Sequence, residues 1–345
     1  MSMKAKILEL LREKKDRVAA GAPESEAYVS GQELCEQFGV SRTAVWKAIG
    51  QLKKEGYVIE AVQNRGYRLL DQTEEVYNQA DIQSRLKTKL VAHPLQFFDS
   101  IDSTNIRAKL EAEQGAKSGL LVVSDMQSAG RGRRGRSWES PAGTNIYYTL
   151  MLKPDFSSDC APMLTLVMAL AVAKGIRQTL RRDSEEAAAK VGIKWPNDIV
   201  VDGKKVCGIL TEAALDLETG GLQYAIVGIG VNLFPPKGGF PPELPEAGAV
   251  FPTRPQGLEG RSQLAGSILN HFFSFYPHLK DKPFFADYRR RSLVLGQEIT
   301  VLEGGQTRTA FALDLERDFS LRVRETDGTI HTLSSGEVRV RPAHG

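Results

Sequence analysis

The chain contains 345 residues, too many for one small module, and this length suggests two or three domains. Hydrophobic residues make up 41% and charged residues 25%, which is typical of soluble globular proteins and excludes a disordered chain. The mean hydropathy is -0.26 and apolar runs stay shorter than the roughly 18 residues of a membrane helix, so we expect no association with a membrane.

Charge and cysteine usage add two expectations. Residues 1–70 contain 12 Lys and Arg against 9 Asp and Glu, whereas the remaining 275 residues contain 33 of each. The net charge of +3 therefore lies in the N-terminal fifth, which suggests a separate role for that part. Cys35, Cys160 and Cys207 show no metal-binding spacing and residues 1–16 lack a signal-peptide core, so we expect a cytoplasmic protein without a protein-bound metal.

The first 70 residues predict a DNA-binding helix-turn-helix. Apolar residues at helical spacing predict a helix over Met3–Asp16. Ser30 and Ser41 are expected to cap two further helices, Gly31–Phe38 and Arg42–Glu55. A helix, a glycine-containing turn and a second helix are typical of proteins that read the major groove.

A hairpin after these helices completes the pattern of a winged helix. Residues 57–63 and 67–70 are expected to pair, with a basic tip at residues 64–66. Residues 42–54 contain four cations and no acid, which suits a groove lined by phosphates. The alternative is a helical protein-interaction module with a solvated basic face. The residues predicted to contact DNA are Ser41, Arg42, Thr43, Trp46, Lys47 and Arg65.

The rest of the chain predicts a linker and two more domains. Residues 71–82 are polar and are expected to be the linker, followed by a mixed α/β domain at 83–290. Residues 291–345 show only short strands with turns such as Gly304–Gly305, which predicts a small β-barrel. The expected central strands are Leu95–Phe98, Leu120–Ser124, Ile146–Leu152, Ile199–Val201, Val206–Thr211 and Tyr224–Val231; the expected helices are Ile106–Glu113, Pro162–Arg182 and Arg261–Leu279, with a loop at Phe234–Gly260.

The segment Gln127–Trp138 combines three glycines with four arginines. Its glycines satisfy the G-x-G-x-x-G pattern and nearly satisfy the P-loop pattern, but both motifs need a helix directly after the loop. Pro141 and Gly143 forbid that helix, so we reject both readings. Arginine offers paired donors to phosphate and carboxylate, and we predict an anion-binding loop that is mobile when empty. The alternatives are a second nucleic-acid contact and a flexible arginine–glycine segment.

A second unusual segment is Ile193–Ile199, in which Lys194 is flanked by apolar residues and followed by a stiff Trp-Pro-Asn-Asp corner. A lysine held in this way can reach a carbonyl and a phosphoryl oxygen together. On a strand without such a corner, a lysine is more often a surface residue.

Four motifs together resemble bacterial biotin protein ligases. They are DSTN at 102–105, GRGRRGR at 130–136, KWPND at 194–198 and GIGVN at 228–232, in the order of that family. The N-terminal domain is similar to the bifunctional form, which also represses the biotin operon. The resemblance implies an α+β multidomain fold with a winged helix-turn-helix, a central mixed α/β ligase domain related to lipoate ligases and class II synthetases, and a C-terminal SH3-like β-barrel.

The resemblance also implies roles for individual residues. Lys194, Arg131 and Arg133 would be catalytic, with Lys194 bridging the reacting carboxylate and the α-phosphate. Biotin would contact Ser103, Thr104, Asn105, Gln127, Arg131, Gly132, Arg133 and Lys194. The nucleotide would contact Arg133, Arg134, Arg136 and Asn232.

The implied activity uses biotin and ATP as substrates, with Mg²⁺, to form biotinyl-5′-AMP. A lysine of the biotin carboxyl carrier protein of acetyl-CoA carboxylase, or of a similar acceptor domain, then takes the biotin. The implied partners are that acceptor, biotin operator DNA and a second copy of the chain when biotinyl-5′-AMP is bound. Two alternatives stay open: a ligand-sensing repressor without ligase activity, and a lipoate or octanoyl ligase.

Overall fold

The computed structural model describes residues 2–72, 75–87, 94–154, 156, 161–215, 221–254, 260–303 and 306–340. Cys160, the turn Gly304–Gly305 and part of the loop Phe234–Gly260 lie outside these residues. The described strands form three sheets of two, seven and five strands. The two-stranded sheet belongs to an N-terminal domain with its own hydrophobic core, whereas the two larger sheets share one continuous core.

The N-terminal domain is the predicted winged helix-turn-helix. Ser30 Oγ and Ser41 Oγ accept the N–H groups of Glu33 and Ala44, so both serines cap the helices that follow them. Gly39, in the left-handed conformation at φ 65°, ends the first of these helices. The elements are helices α1 Met3–Ala19, α2 Gly31–Phe38 and α3 Arg42–Lys54, and antiparallel strands β1 Ile59–Val62 and β2 Gly66–Leu69.

A short helix, α4 Gln79–Gln83, lies in the segment predicted to be a linker. It packs between α1 and a helix of the central domain, and its residues Ala80 to Gln83 are buried. Asp81 accepts hydrogen bonds from Arg12 of α1, from Tyr57 Oη at 3.1 Å and from Arg85 Nε at 3.2 Å. A buried carboxylate needs such partners, and these contacts join the N-terminal domain to the central one.

The central domain is built on the seven-stranded sheet, in the order β3-β4-β5-β9-β8-β7-β6. Only the β3–β4 pair is parallel among the described strands; the other neighbours are antiparallel. The predicted strands are all present, and most extend further than the apolar runs that indicated them. The strands are β3 Leu95–Ile101, β4 Leu120–Gln127, β5 Ile146–Leu152, β6 Val191–Lys194, β7 Asp198–Val201, β8 Lys204–Leu215 and β9 Leu222–Val231.

Five helices accompany this sheet in the described part of the chain. The 20-residue helix α6 is long and apolar enough to cross a membrane by composition, yet 72% of its apolar window is buried inside the protein. It packs against α8 and the sheet, as a core helix does. The short helices α7 and α9 were not predicted. The helices are α5 Thr104–Glu113, α6 Ala161–Leu180, α7 Glu185–Ala189, α8 Arg261–Phe275 and α9 Phe285–Arg291.

The C-terminal region is a five-stranded antiparallel sheet in the order β13-β12-β11-β10-β14. A β-rich tail was predicted, but β13 and β14 stay at opposite edges, so the described strands do not close into a barrel. Trp195 Nε1 donates to Phe319 O at 3.0 Å and ties this sheet to the central domain. The strands are β10 Glu298–Glu303, β11 Gln306–Leu315, β12 Leu321–Glu325, β13 Ile330–Leu333 and β14 Glu337–Val340.

The buried carboxylate at the domain junction leads to a prediction. Burial has the largest single effect and raises the pKa of Asp81, but the charges of Arg85 and Arg12 and the hydrogen bonds to the carboxylate together outweigh it, so the net pKa lies below the ordinary 3.8. We expect Asp81→Asn to lower the free energy of unfolding by about 3 kcal/mol or more, because two guanidinium groups lose their anion. Urea unfolding at neutral pH measures this loss.

Because the pKa of Asp81 is lowered, the free energy of unfolding should depend on pH. The contribution of a carboxylate with a lowered pKa is complete above its ordinary pKa of 3.8 and is lost as the pH falls toward the pKa of the folded state. The wild-type chain should therefore lose more stability on acidification than Asp81→Asn. Asp71→Asn is the matched control, since the side chain of Asp71 is 98% exposed and pairs only at the surface with Lys15. Equal stability of Asp81→Asn and Asp71→Asn would contradict this account.

Candidate active site and nucleic-acid interface

A cavity of about 930 Å³ lies against the central sheet. Strands β8 and β9 form its floor, and the glycine–arginine loop 130–136 lies along one side. Residues 236–247 form another wall, and Glu337 and Arg339 of β14 complete the rim. Residues of the central and C-terminal sheets therefore line one cavity, whose volume falls in the range of small-molecule binding sites.

Three glycines in the floor allow side chains to lie directly on the sheet. A Cβ atom at Gly230 would be 2.3 Å from Trp138 Nε1, and one at Gly208 would be 2.9 Å from Trp138 Cζ3. At Gly228 a Cβ atom would be 1.9 Å from Asn105 Oδ1. Glycine inside a strand often marks such a close approach, so this signal for the floor was available in the sequence.

Ser103, Thr104 and Asn105, at the start of α5, are buried beside the cavity. The N–H and the hydroxyl of Thr104 both donate to Gln127 Oε1, at 2.9 and 3.1 Å. Asn105 accepts from Thr149 Oγ1 at 2.7 Å and donates to Glu212 Oε2 at 2.9 Å. The structure thus brings together the four residues expected to contact biotin at this end, and hydrogen bonds hold Thr104, Asn105 and Gln127 in place.

The arginines of the loop 130–136 all have protein partners. Arg131 Nη1 lies 3.1 Å from Glu212 Oε1, and Arg133 Nη1 donates to Asn197 Oδ1 at 2.6 Å. Arg134 donates to the carbonyl of Leu302 at 3.1 Å, and Arg136 forms two hydrogen bonds with the carboxylate of Glu337, at 3.2 and 2.9 Å. The loop therefore connects the central sheet to the C-terminal sheet.

The loop backbone is closed by its own hydrogen bonds. Gly132 N–H donates to Arg136 O at 2.7 Å, and Trp138 N–H donates to Gly130 O at 2.9 Å. A single 3-10 turn, Arg133–Gly135, is followed by irregular chain up to β5 rather than by an α-helix. The rejection of a P-loop and of a dinucleotide-binding motif therefore agrees with the fold.

Burial and nearby charges shift the pKa values of two residues at this loop, Arg133 and Glu337. Burial lowers the pKa of Arg133, and the nearby Asp198 partly opposes this. Burial also raises the pKa of Glu337, but the hydrogen bond and charge of Arg136 lower it more, so the net pKa lies below the ordinary value. Glu337 is consequently an anion at neutral pH and holds the loop by charge.

Lys194 occupies a different position from the other predicted catalytic residues. It ends β6, its side chain is 16% exposed, and its Nζ lies 3.4 Å from Glu246 Oε2. Glu246 lines the cavity, whereas Lys194 itself lies just outside the lining. The next residue, Trp195, is buried, and a cis peptide bond joins it to Pro196. The corner after Lys194 is therefore fixed by packing.

Sequence reasoning missed many lining residues, among them Trp138, Lys205 and Glu246. Lys205 Nζ lies 2.8 Å from Asp198 Oδ1 and 5.6 Å from the centre of the Trp138 ring. No motif indicates Lys205 or Glu246, because their proximity to the cavity arises only from the fold. Asn232, which was predicted, is buried in the lining and donates to Gly248 O at 3.1 Å.

Within the described residues, no three His, Cys, Asp or Glu side chains group closely enough to hold a metal ion. The cavity instead presents single carboxylates, such as Asp198 and Glu246. Mg²⁺ bound mainly through phosphate oxygens requires one or two carboxylates rather than a protein cage, so this donor set suits metal that arrives with a nucleotide.

The residues predicted to contact DNA are all exposed on the N-terminal domain. Trp46 is 67% exposed although it belongs to a helix whose opposite face, including Val45 and Ile49, is buried. At the tip of the wing, the Arg65 guanidinium lies 4.0 Å from the centre of the Tyr28 ring. The five predicted residues before the wing, Ser41, Arg42, Thr43, Trp46 and Lys47, are all exposed.

Comparison with known proteins gives two matching family models. The model of the biotin/lipoate A/B protein ligase family matches residues 97–232, and a helix-turn-helix domain model matches residues 24–68. Both matches fall on the regions described above.

Individual relatives extend these matches. The bifunctional ligase/repressor BirA of Bacillus subtilis is 40% identical over 268 residues, which is 78% of each chain. The Escherichia coli protein of the same name is 34% identical over 204 residues, 59% of each chain. Among solved structures, a biotin protein ligase from Aquifex aeolicus in complex with biotin and ATP superposes with a TM-score of 0.57 and 26% identity, covering 72% of this chain and 99% of that one.

Proposed function

The chain belongs to the family of bifunctional biotin ligase/repressors, and from this premise we propose that it attaches biotin to protein and represses transcription. The observation that carries the proposal is the joining of two units in one chain. One is a large cavity lined by the serine–threonine–asparagine and glycine–arginine motifs; the other is a winged helix with an exposed basic face. The chain is thus a biotin–protein ligase and a DNA-binding repressor.

The reaction has two steps. A carboxylate oxygen of biotin attacks the α-phosphorus of ATP, which forms biotinyl-5′-AMP and releases pyrophosphate. The amine of an acceptor lysine then attacks the acyl carbon, so that an amide forms and AMP leaves with the electron pair of the broken C–O bond. We propose the biotin carboxyl carrier protein of acetyl-CoA carboxylase as the acceptor.

The first step brings two anions together, and the cavity supplies cations to oppose their repulsion. We propose that Arg131 and Arg133 exchange Glu212 and Asn197 for the biotin carboxylate and the phosphate. Arg134 and Arg136 hold the loop against the C-terminal sheet and lie beside the nucleotide. Because these arginines are already partnered, the loop moves by exchanging partners rather than by folding from disorder.

Lys194 must turn away from Glu246 to bridge the reacting groups. Lys194 Nζ and Glu246 Oε2 are 3.4 Å apart, which is long for an ion pair. A ligand with more negative charge can therefore take the place of Glu246 as the partner of Lys194. Mg²⁺, which we infer as the metal carried by ATP, would neutralise phosphate charge and needs no cage of protein ligands.

Several finer features belong to the same proposal. We place the protein in the cytoplasm, and we assign the C-terminal sheet to an SH3-like domain that supports the loop through Glu337. Residues 1–70, 83–290 and 291–345 would act as three domains, and residues 71–82 would connect the first domain to the second. Binding of biotinyl-5′-AMP would favour a homodimer that presents two winged helices to operator DNA.

Lys194→Ala should reduce the rate of biotinyl-5′-AMP formation by about 10²–10³, because the charge that bridges the reacting oxygens is lost. The control is Lys190→Ala, since Lys190 is a surface residue four positions earlier that pairs with Glu186 and Asp202. Pyrophosphate release from purified protein with biotin, ATP and Mg²⁺ measures the rate. A Lys194→Ala variant as fast as the control would show that the lysine has no catalytic role.

Lys47→Gln should weaken binding to a DNA fragment that carries the biotin operator and reduce the slope of log affinity against log salt by about 1, because one phosphate contact is lost. Lys15→Gln is the control, since Lys15 pairs with Asp71 and lies on a different helix. Fluorescence anisotropy at several salt concentrations measures both quantities. Salt-insensitive binding, or full binding after removal of residues 1–70, would refute the winged-helix assignment.

A further inference from the structure

A second cavity, of about 420 Å³, lies at the edge of the central sheet, and none of its lining residues lines the first cavity. It is formed where the last turns of α6 and α9 meet the start of β6. Four arginines line it: Arg177, Arg181, Arg290 and Arg291. The reaction proposed above uses none of these residues.

Positive charge at this cavity exceeds the negative charge that contacts it. Arg181 pairs with Glu185, with Nη2 and Oε1 2.8 Å apart, while Arg290, Arg291 and Lys174 all share the single carboxylate of Asp287. Arg177 donates to a neutral acceptor, Ala188 O, at 2.6 Å. Four of these five cations share two carboxylates and Arg177 contacts neither, which leaves an excess of three positive charges.

The positive charges of these arginines also repel one another. Burial lowers the pKa of Arg177, and the positive charges of Arg291 and Arg181 lower it further. Like charges held this close are costly unless an anion lies between them. The lining residues besides the arginines are small, apolar or hydroxyl-bearing, so no carboxylate among the described residues faces the cavity itself.

Two polar atoms of the lining residues are buried without a hydrogen-bond partner in the described part of the chain: Arg291 Nε and Ser292 Oγ. A guanidinium N–H and a hydroxyl can both donate to an anionic oxygen. Buried donors are nearly always satisfied in native proteins, so two residues that line the cavity carry donors for which the described part of the chain supplies no acceptor.

We propose that this cavity binds a small organic phosphate. Arginine forks match the oxygens of phosphate, and the excess of three positive charges suits a dianion better than a monocarboxylate. The volume exceeds that of a bare phosphate and falls in the range of small-molecule sites. Val191 and the 41% exposed Leu293, which packs over Gly192, give one apolar wall for the organic part.

The test uses the full-length chain and calorimetric titration with phenyl phosphate, inorganic phosphate and acetate at constant ionic strength. We expect phenyl phosphate to bind more tightly than inorganic phosphate, and acetate to bind at least tenfold more weakly than either. Arg181→Gln/Arg290→Gln should weaken phenyl phosphate binding about tenfold or more, because half of the guanidinium groups are lost. The control Arg322→Gln/Arg324→Gln removes the same charge from β12 and should leave the affinity unchanged.

Arg133→Gln separates this site from the proposed ligase cavity. Phenyl phosphate affinity should be the same in this variant and the wild-type chain, whether or not the chain makes biotinyl-5′-AMP. Loss of binding in Arg133→Gln would place the phosphate in the first cavity and overturn the proposal. Equal affinity for acetate, or unchanged affinity in Arg181→Gln/Arg290→Gln, would overturn it as well. If that double variant unfolds, Arg290→Gln alone provides the same test, since its side chain is 72% exposed.

Discussion

The repulsion between two anions is the constraint that the proposed reaction places on the main cavity. A carboxylate and a phosphate can react there only if the protein holds cations in place beforehand, in a site that excludes water. We propose that the loop 130–136 meets this requirement, because its arginines are held in place by Glu212, Asn197, Leu302 and Glu337. The same contacts fasten the C-terminal sheet to the central one, so that sheet contributes to the site through Glu337.

Local signals predicted much of the fold. The strand at Ile146–Leu152 and the helix at Gly31–Phe38 have the predicted bounds, because an apolar run and a serine cap act over a few residues. The junction could not be predicted in this way, since Asp81 meets Arg12, a residue 69 positions away. The sequence predicted Thr104, Gln127 and Arg133 as site residues, and all three line the cavity. Lys205 and Glu246 line it too, but no local pattern indicates them, because only the fold brings them there.

The separate core of the N-terminal domain bears on how ligation and repression are connected. Its contacts with the central domain run through α4, where Asp81 accepts hydrogen bonds from Arg12 and Tyr57, and the cores of the two domains are separate clusters. We propose that coupling between biotinyl-5′-AMP and DNA passes through dimerisation, with the loop 130–136 as the element that changes state. In this proposal the loop, which ion pairs and hydrogen bonds hold to the protein, exchanges those partners for the ligand, as such a switch requires.

We propose that this loop also retains the activated biotin, and a chase with Arg133→Gly tests this most directly. The variant loses the contact to Asn197 and one of the cations proposed for the first step, and it gains backbone freedom. Adenylation should therefore be slower, but Lys194, Arg131 and Mg²⁺ remain to support it. After loading with labelled biotin and ATP and dilution into unlabelled ligand, the variant should release label faster than wild type and biotinylate lysines of a bystander protein. An unchanged release rate without bystander labelling would show that the loop does not hold the intermediate.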